Sequence, residues 1–190
     1  MNAFKSSQFY SLKVLSPKVP FGIMRRILER EPYQYFRTGE CLVRPGQLVE
    51  HIWYLKSGLA KRYYFDASGC EKVHDFYEAG SLLCITQPLG MGERSEEYLV
   101  VLEDASLIPI AYRYGIALLK EHPDLYPWLI HFFCYTLYRR DCRIWLLGLP
   151  ADKRYLSFIR LFPASRLLTK DIASYLNISA GGLSRIKGRV

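Results

Sequence analysis

The feature that most constrains this chain is a change of period near Tyr112. Before it, glycines recur at Gly39, Gly46, Gly58, Gly69, Gly80, Gly90 and Gly92, mostly at steps of roughly seven to twelve residues. Short strand-like runs lie between them: His51 to Leu55, Leu59 to Phe65, Lys72 to Tyr77, Tyr98 to Leu102 and Ser106 to Ala111. The segment Asp66-Ala67-Ser68-Gly69 reads as a turn, with glycine supplying a positive φ. No helical stretch separates these runs, so they predict a β-sandwich or barrel rather than a parallel sheet. A short helix is predicted over Phe21 to Arg30, ended by Pro32.

After Tyr112 the spacing is helical. Ile116, Leu119 and Lys120 mark a short helix that stops near His122-Pro123, and a long one follows over about Leu125 to Leu147. Within it Ile130, Phe133, Leu137, Arg140, Ile144 and Leu147 form a heptad seam interrupted only by Arg140. The opposite face carries Trp128, Phe132, Tyr135 and Trp145. A helix with two apolar faces has two surfaces to cover, and the expected covers are the β domain and a second subunit. Gly148-Leu149-Pro150 breaks this helix, and Ala151 to Phe162 restarts one with Tyr155, Phe158, Ile159 and Phe162 apolar.

Residues 139 to 190 hold 11 Lys/Arg against 3 Asp/Glu, which is the whole net charge of +8. A basic module attached to a neutral one points to a polyanionic partner, most often nucleic acid. The same module contains a helix, a tight turn and a second helix. Thr169 to Leu176 is the first helix, capped by Thr169 or Leu168, with Asp171 suited to the dipole of its first turn. Ala173 is small where two helices would cross. Asn177 follows at the left-handed turn, and Ser179 caps a second helix from Ala180 to Lys187. Leu176, Ile178, Leu183 and Ile186 would close the crossing. These offsets are those of a DNA-binding helix-turn-helix. Thr169, Lys170, Ser179, Ser184, Arg185, Lys187 and Arg189 are its candidate DNA contacts.

Other classes find little support. No run approaches the ~20 apolar residues of a membrane helix. The start at Met1 is not followed by a secretory core, so a cytoplasmic location is expected. Cys41, Cys70, Cys84, Cys134 and Cys142 include no CxxC pair, and idle thiols are expected. His51 and His74 are the only histidines in the strand region, too few for a metal enzyme in a barrel. No catalytic residue, metal or cofactor is assigned.

With these modules in this order, the chain resembles the Crp/Fnr family of bacterial transcription regulators from about Gly39 onward. The segments carrying the resemblance are Ile52-Trp53-Tyr54-Leu55-Lys56-Ser57-Gly58, the turn Asp66 to Gly69 with Glu71, Phe76 to Gly80, Leu102-Glu103-Asp104-Ala105, and Lys170 to Ile186. The phrase Asp171 to Ser179 with Leu183-Ser184-Arg185-Ile186 looks particularly like members without a cyclic-AMP response. The resemblance implies an α+β architecture. An N-terminal jelly roll of cyclic-nucleotide-binding type and a dimerising helix (about 124–147) make up residues 1–147. A winged-helix-like helix-turn-helix with its wing truncated makes up 148–190. It also implies a homodimer on double-stranded DNA with an unidentified small-molecule effector, and no membrane partner.

Where cyclic-AMP-binding members hold ribose with a Gly-Glu pair, this sequence has Cys84 and Ile85, and isoleucine accepts no hydrogen bond. The family's phosphate-binding Arg-Ser pair is matched by Arg94-Ser95, with Glu93, Glu96 and Glu97 nearby to pair with the arginine. The purine-contacting hydroxyls fall near Arg140 and Asp141, which do not match. Cyclic AMP is therefore disfavoured. Leu83, Cys84, Arg94 and Ser95 remain the candidate effector contacts. Ala180-Gly181-Gly182 leaves the second helix nearly bare at its start, so a module that has lost DNA binding is the alternative.

Overall fold

The computed structural model describes residues 16–85, 89 and 92–189. Gly90 and the first residues of the chain lie outside the described residues. The chain divides into two compact units, Pro17–His131 and the part from Phe132 on.

In the first unit, helix α1 (Phe21–Arg30) precedes eight strands: β1 (Gln34–Phe36), β2 (Cys41–Val43), β3 (His51–Ser57), β4 (Leu59–Phe65), β5 (Glu71–Glu78), β6 (Leu82–Leu83), β7 (Tyr98–Val101) and β8 (Ala105–Ala111). Helix α2 (Tyr112–Glu121) follows. The strands form two antiparallel four-stranded sheets, ordered β1-β8-β3-β6 and β2-β7-β4-β5. The five longer strands coincide with the runs read from sequence to within two residues at either end. Strands β1, β2 and β6 are two or three residues long, too short to show a period, and the sequence did not reveal them.

The core lies between the sheets. Trp53, Leu55, Leu83 and Leu107 from one sheet meet Val43, Ala60, Tyr77, Leu99 and Val101 from the other. A second cluster joins Ile108 and Ile110 of β8 to Ile27 of α1 and Leu118 of α2. Strand β8 is thus covered on both faces, which explains its nearly unbroken apolar sequence. At the Asp66–Gly69 turn, the Asp66 carboxylate accepts hydrogen bonds from the Ser68 hydroxyl and from the backbone N–H groups of Cys70 and Ser68. The Ser68 hydroxyl first, then the Cys70 N–H, hold its pKa down at about 2.

Helix α3 (Tyr126–Leu147) passes through the division between units. It exceeds the length of every other helix described, yet no described helix is long and apolar enough to cross a membrane. The second unit continues with α4 (Ala151–Leu161), α5 (Thr169–Leu176) and α6 (Ala180–Lys187). Its core is an aromatic trio. Phe158 and Phe162 stack at 4.8 Å between centroids, and Tyr175 meets them at 5.5 and 5.3 Å. Phe158, Leu161, Ile172, Leu176 and Leu183 are buried around it.

Gly58 is the single residue joining β3 to β4, at φ +101°. A Cβ there would lie 2.6 Å from Ala105 Cβ and 2.9 Å from Ala105 Cα. Gly58→Ala is expected to cost at least about 2 kcal/mol, from positive φ and steric overlap together, measured by urea denaturation.

Candidate nucleic-acid interface and the interior of the β domain

Helix α5 ends because Asn177 turns left-handed, at φ 51° and ψ 51°. It is the one non-glycine residue with positive φ among the described residues. The reversal lets the Ile178 N–H reach the Ala173 carbonyl at 2.9 Å and the Asn177 N–H reach that of Ser174 at 3.1 Å. Asparagine tolerates this conformation better than any branched residue. Ser179 then caps α6, its hydroxyl accepting from the Gly182 N–H at 3.1 Å. Ala173 is buried at the crossing with Leu176 and Leu183, as the spacing predicted.

The structure also explains one of the two adjacent glycines of α6. A Cβ on Gly182 would sit 2.9 Å from the Ser179 hydroxyl that caps the helix, whereas Gly181 faces open space. Gly182 therefore serves the cap, and only Gly181 lacks an internal reason.

Lys170, Ser179, Ser184, Arg185 and Arg189 are exposed on this module. Thr169 is not the cap of α5. Leu168 occupies that position without a side-chain cap, and the Thr169 hydroxyl accepts from Lys187 Nζ at 2.9 Å. Two candidate contacts, one from each helix, are thus joined to each other. The Arg185 Nε–H is turned back to the Gly181 carbonyl at 3.3 Å.

Sequence reasoning missed Arg154, in the first turn of α4. Its guanidinium donates to the carbonyls of Leu176 (2.6 Å), Leu147 (3.0 Å) and Leu149 (2.9 Å), with a longer approach to Asn177 (3.4 Å). These carbonyls belong to the last turns of α3 and α5, the break between α3 and α4, and the helix-turn-helix turn. Helix C-termini leave such carbonyls unsatisfied and carry partial negative charge, so one arginine answers several needs. An arginine on an exposed-looking amphipathic helix gives no sequence signal for this.

On α3, Phe132, Tyr135, Cys142 and Leu146 are buried. The heptad seam is exposed instead: Ile130 at 63%, Phe133 and Leu137 at 51% and Ile144 at 63%. Arg140 in the seam is exposed as well, and Leu147 is partly covered.

In the β domain, the candidate effector residues are dispersed. Leu83 is fully buried in the core between the sheets. Cys84 is buried too, and burial pushes its thiol up to about 11. Arg94 pairs with none of the neighbouring glutamates as the sequence suggested. It is exposed, and its guanidinium donates to the Gly46 carbonyl at 2.5 Å. Ser95 is buried, and its hydroxyl accepts from the Glu97 N–H and donates to the Glu97 carbonyl.

The acidic partner role falls elsewhere. Glu97 pairs with Arg62 at 3.5 Å and with Nδ1 of His74. Arg62 lies opposite Leu99 and Asp75, and Leu99 belongs to the core, so this arginine is on the inner face of its sheet. Burial disfavours its charge, but Tyr77, Glu97, Asp75 and Cys84 outweigh burial and leave the guanidinium firmly protonated. Arg62 was invisible in sequence because it sits within an otherwise regular strand run.

A roll of two antiparallel sheets followed by a long helix and a helix-turn-helix is also the architecture of solved structures of Crp/Fnr type. Residues 33–122 match the family model of the cyclic nucleotide-binding domain. The match spans residues 33–122 only, and the chain as a whole has the fold of the Crp/Fnr-type structures below. It is similar to the c-di-GMP responsive global regulator CLP of Xanthomonas campestris, with a TM-score of 0.69 at 16% identity over 90% of this chain and 91% of that one. It is also similar to FixK2 of Bradyrhizobium japonicum, with a TM-score of 0.67 at 17% identity over 84% and 83%. A Crp/Fnr family regulator from Eubacterium rectale gives a TM-score of 0.68 at 14% identity over 90% and 83%. No curated protein matches this chain.

Arg154→Met is expected to strip several part-buried carbonyls of their partner and to cost the second unit about 2–4 kcal/mol. Hydrogen exchange would show lost protection in residues 169–187. Asn177→Gly should be nearly neutral, while Asn177→Val should cost about 1–2 kcal/mol because a branched residue resists positive φ, read in the same assay.

Proposed function

We propose that this chain is a homodimeric, DNA-binding transcription regulator and not an enzyme, with the β domain as its sensor. The observation that carries the reading is the helix-turn-helix itself. A left-handed Asn177 sets α5 against an α6 that exposes Ser184 and Arg185, on the module holding the whole net positive charge. Such a second helix enters the major groove, and an arginine fork suits a guanine edge.

The exposed seam of α3 supports self-association. Ile130, Phe133, Leu137, Ile144 and the partly covered Leu147 form a stripe at heptad spacing, and a parallel copy of the same helix presents the matching stripe. Arg140 in the middle favours a specific register over maximal stability. Two-fold symmetry implies a pseudo-palindromic site. We place the protein in the cytoplasm, with the DNA it would bind.

The proposed effector is a small molecule other than cyclic AMP, and no cofactor is invoked. Ile85, at the position of the family's ribose-binding glutamate, is buried and apolar. CLP, as a c-di-GMP responsive relative in fold, is a regulator of this architecture that answers to a different signal.

The test is DNA binding by the purified protein over a salt series, its own upstream region against a random duplex, with and without cyclic AMP. A specific, salt-sensitive complex of dimer stoichiometry, unchanged by cyclic AMP, is expected. Absence of specific binding in every condition would favour an interaction module without DNA binding. The small start of α6 and the turned-back Arg185 are the observations on that side. Leu137→Glu should yield a monomer in sedimentation and weaken specific binding by about 100-fold or more, since half-sites would then bind singly. Arg185→Ala should cost about 1–3 kcal/mol and relax specificity at one base pair.

A further inference from the structure

We propose that Arg62 is an anion-binding site inside the β domain, that the Glu97 carboxylate is its resident occupant, and that the effector is a small oxyanion, carboxylate or phosphate, that displaces Glu97. The inference rests on the β domain being a sensor and names the chemistry it would sense.

Three observations carry it. First, Arg62 points into the roll. It shares a sheet face with Ala60, Leu99 and Val101, which line the core. A charge in such a place requires a partner, because an uncompensated buried guanidinium is strongly destabilising.

Second, the partner it has is incomplete. The Arg62–Glu97 separation is 3.5 Å, well beyond the roughly 2.7–2.9 Å of a charge-assisted hydrogen bond. The Nε–H of Arg62 is buried and has no acceptor among the described residues. A guanidinium offers five donors in a planar fork suited to two oxygens at once. Here one Glu97 oxygen approaches one edge of it, Asp75 lies opposite on β5, and the Nε–H is the part of the fork left without an acceptor among the described residues.

Third, Glu97 has somewhere to go. Its other oxygen is held by His74 Nδ1 on β5, the strand beside Arg62's β4. A carboxylate released from Arg62 therefore keeps a partner, which lowers the cost of displacement. Glu97 itself is presented by a rigid turn. The Ser95 hydroxyl bonds both the N–H and the carbonyl of Glu97, the Ser95 N–H reaches the Gln47 carbonyl, and Arg94 holds the Gly46 carbonyl. The Arg94-Ser95 pair thus builds the scaffold that aims Glu97, and the inward-facing, half-buried cation is supplied by Arg62.

The experiment uses the full chain and no DNA, so a failure to bind DNA would leave its outcome untouched. Thermal unfolding is followed at constant ionic strength while chloride is exchanged for acetate or for inorganic phosphate. Wild type, Glu97→Gln and the double variant Arg62→Met/Glu97→Leu are compared. Any phosphate taken up by the basic C-terminal module is common to all three, so the reading is the difference between variants.

Glu97→Gln is expected to melt lower than wild type in chloride and to regain stability saturably with acetate or phosphate. Its apparent anion affinity should be about tenfold tighter than that of wild type, because the internal competitor is gone. The double variant should show the shared background alone. The stronger of the two anions identifies carboxylate or phosphate as the ligand chemistry. An anion response of Glu97→Gln no greater than that of the double variant would overturn the proposal and leave the pair purely structural. Should Glu97→Gln not be recovered folded in chloride, recovery in phosphate or acetate supports the site. Failure in every anion, with the double variant folded, rejects it.

Discussion

Arg154 is the interaction on which the geometry of the C-terminal module depends. The last turn of every helix leaves carbonyls without intrahelical partners. In this module two helices end close together, at Leu147 and Leu176, with a Gly-Leu-Pro break beside them. One guanidinium on α4 collects carbonyls from all three places. Its planar, multiply donating head makes this a task for arginine; a lysine has one point of charge to offer. The positions of α5 and α6 relative to the end of α3 are therefore fixed by hydrogen bonds as well as by the aromatic trio of Phe158, Phe162 and Tyr175.

The β domain solves a comparable problem in its interior. Its two sheets bury an almost wholly apolar core, and Arg62 is the exception on the inner face of β4. The polar residues around it form a chain: Ser95 orients Glu97, Glu97 meets Arg62 and His74, and Tyr77 and Cys84 lie near enough to influence the guanidinium. An inward guanidinium whose carboxylate partners, Glu97 beside it and Asp75 opposite it on β5, leave its Nε–H without an acceptor among the described residues is a feature a small ligand can change, because a better partner alters the local balance of hydrogen bonds.

The two ends of the protein are linked by α3, whose exposed stripe of isoleucine, phenylalanine and leucine has no cover in the monomer's described residues. Apolar groups at heptad spacing on a 22-residue helix are well suited to a second copy of the same helix. On the function proposed above, a change in the β domain would act by altering the pairing of two such helices, and so the spacing of the two α6 helices.

Much of this was legible in the sequence, and the reason differs by element. Strands β3, β4, β5, β7 and β8 announced themselves because each is long enough to carry a pattern between glycines; β1, β2 and β6 are too short to carry one. The helix-turn-helix was readable from local rules alone, since Ala173, Asn177 and Ser179 are residue types demanded by a crossing, a left-handed turn and a cap. The seam of α3 was readable because helical spacing fixes which residues share a face. What the sequence could not decide was which of the two faces of α3 lies covered, that Leu83 packs in the core, and that Arg94 holds a backbone carbonyl while Arg62 is the inward cation. Those outcomes depend on strand register and on contacts between residues distant in the chain: Arg94 with Gly46, Arg154 with Leu176, Arg62 with Glu97. Local propensity determined the elements; only the tertiary packing decided which of their charged groups face inward and which partners they find there.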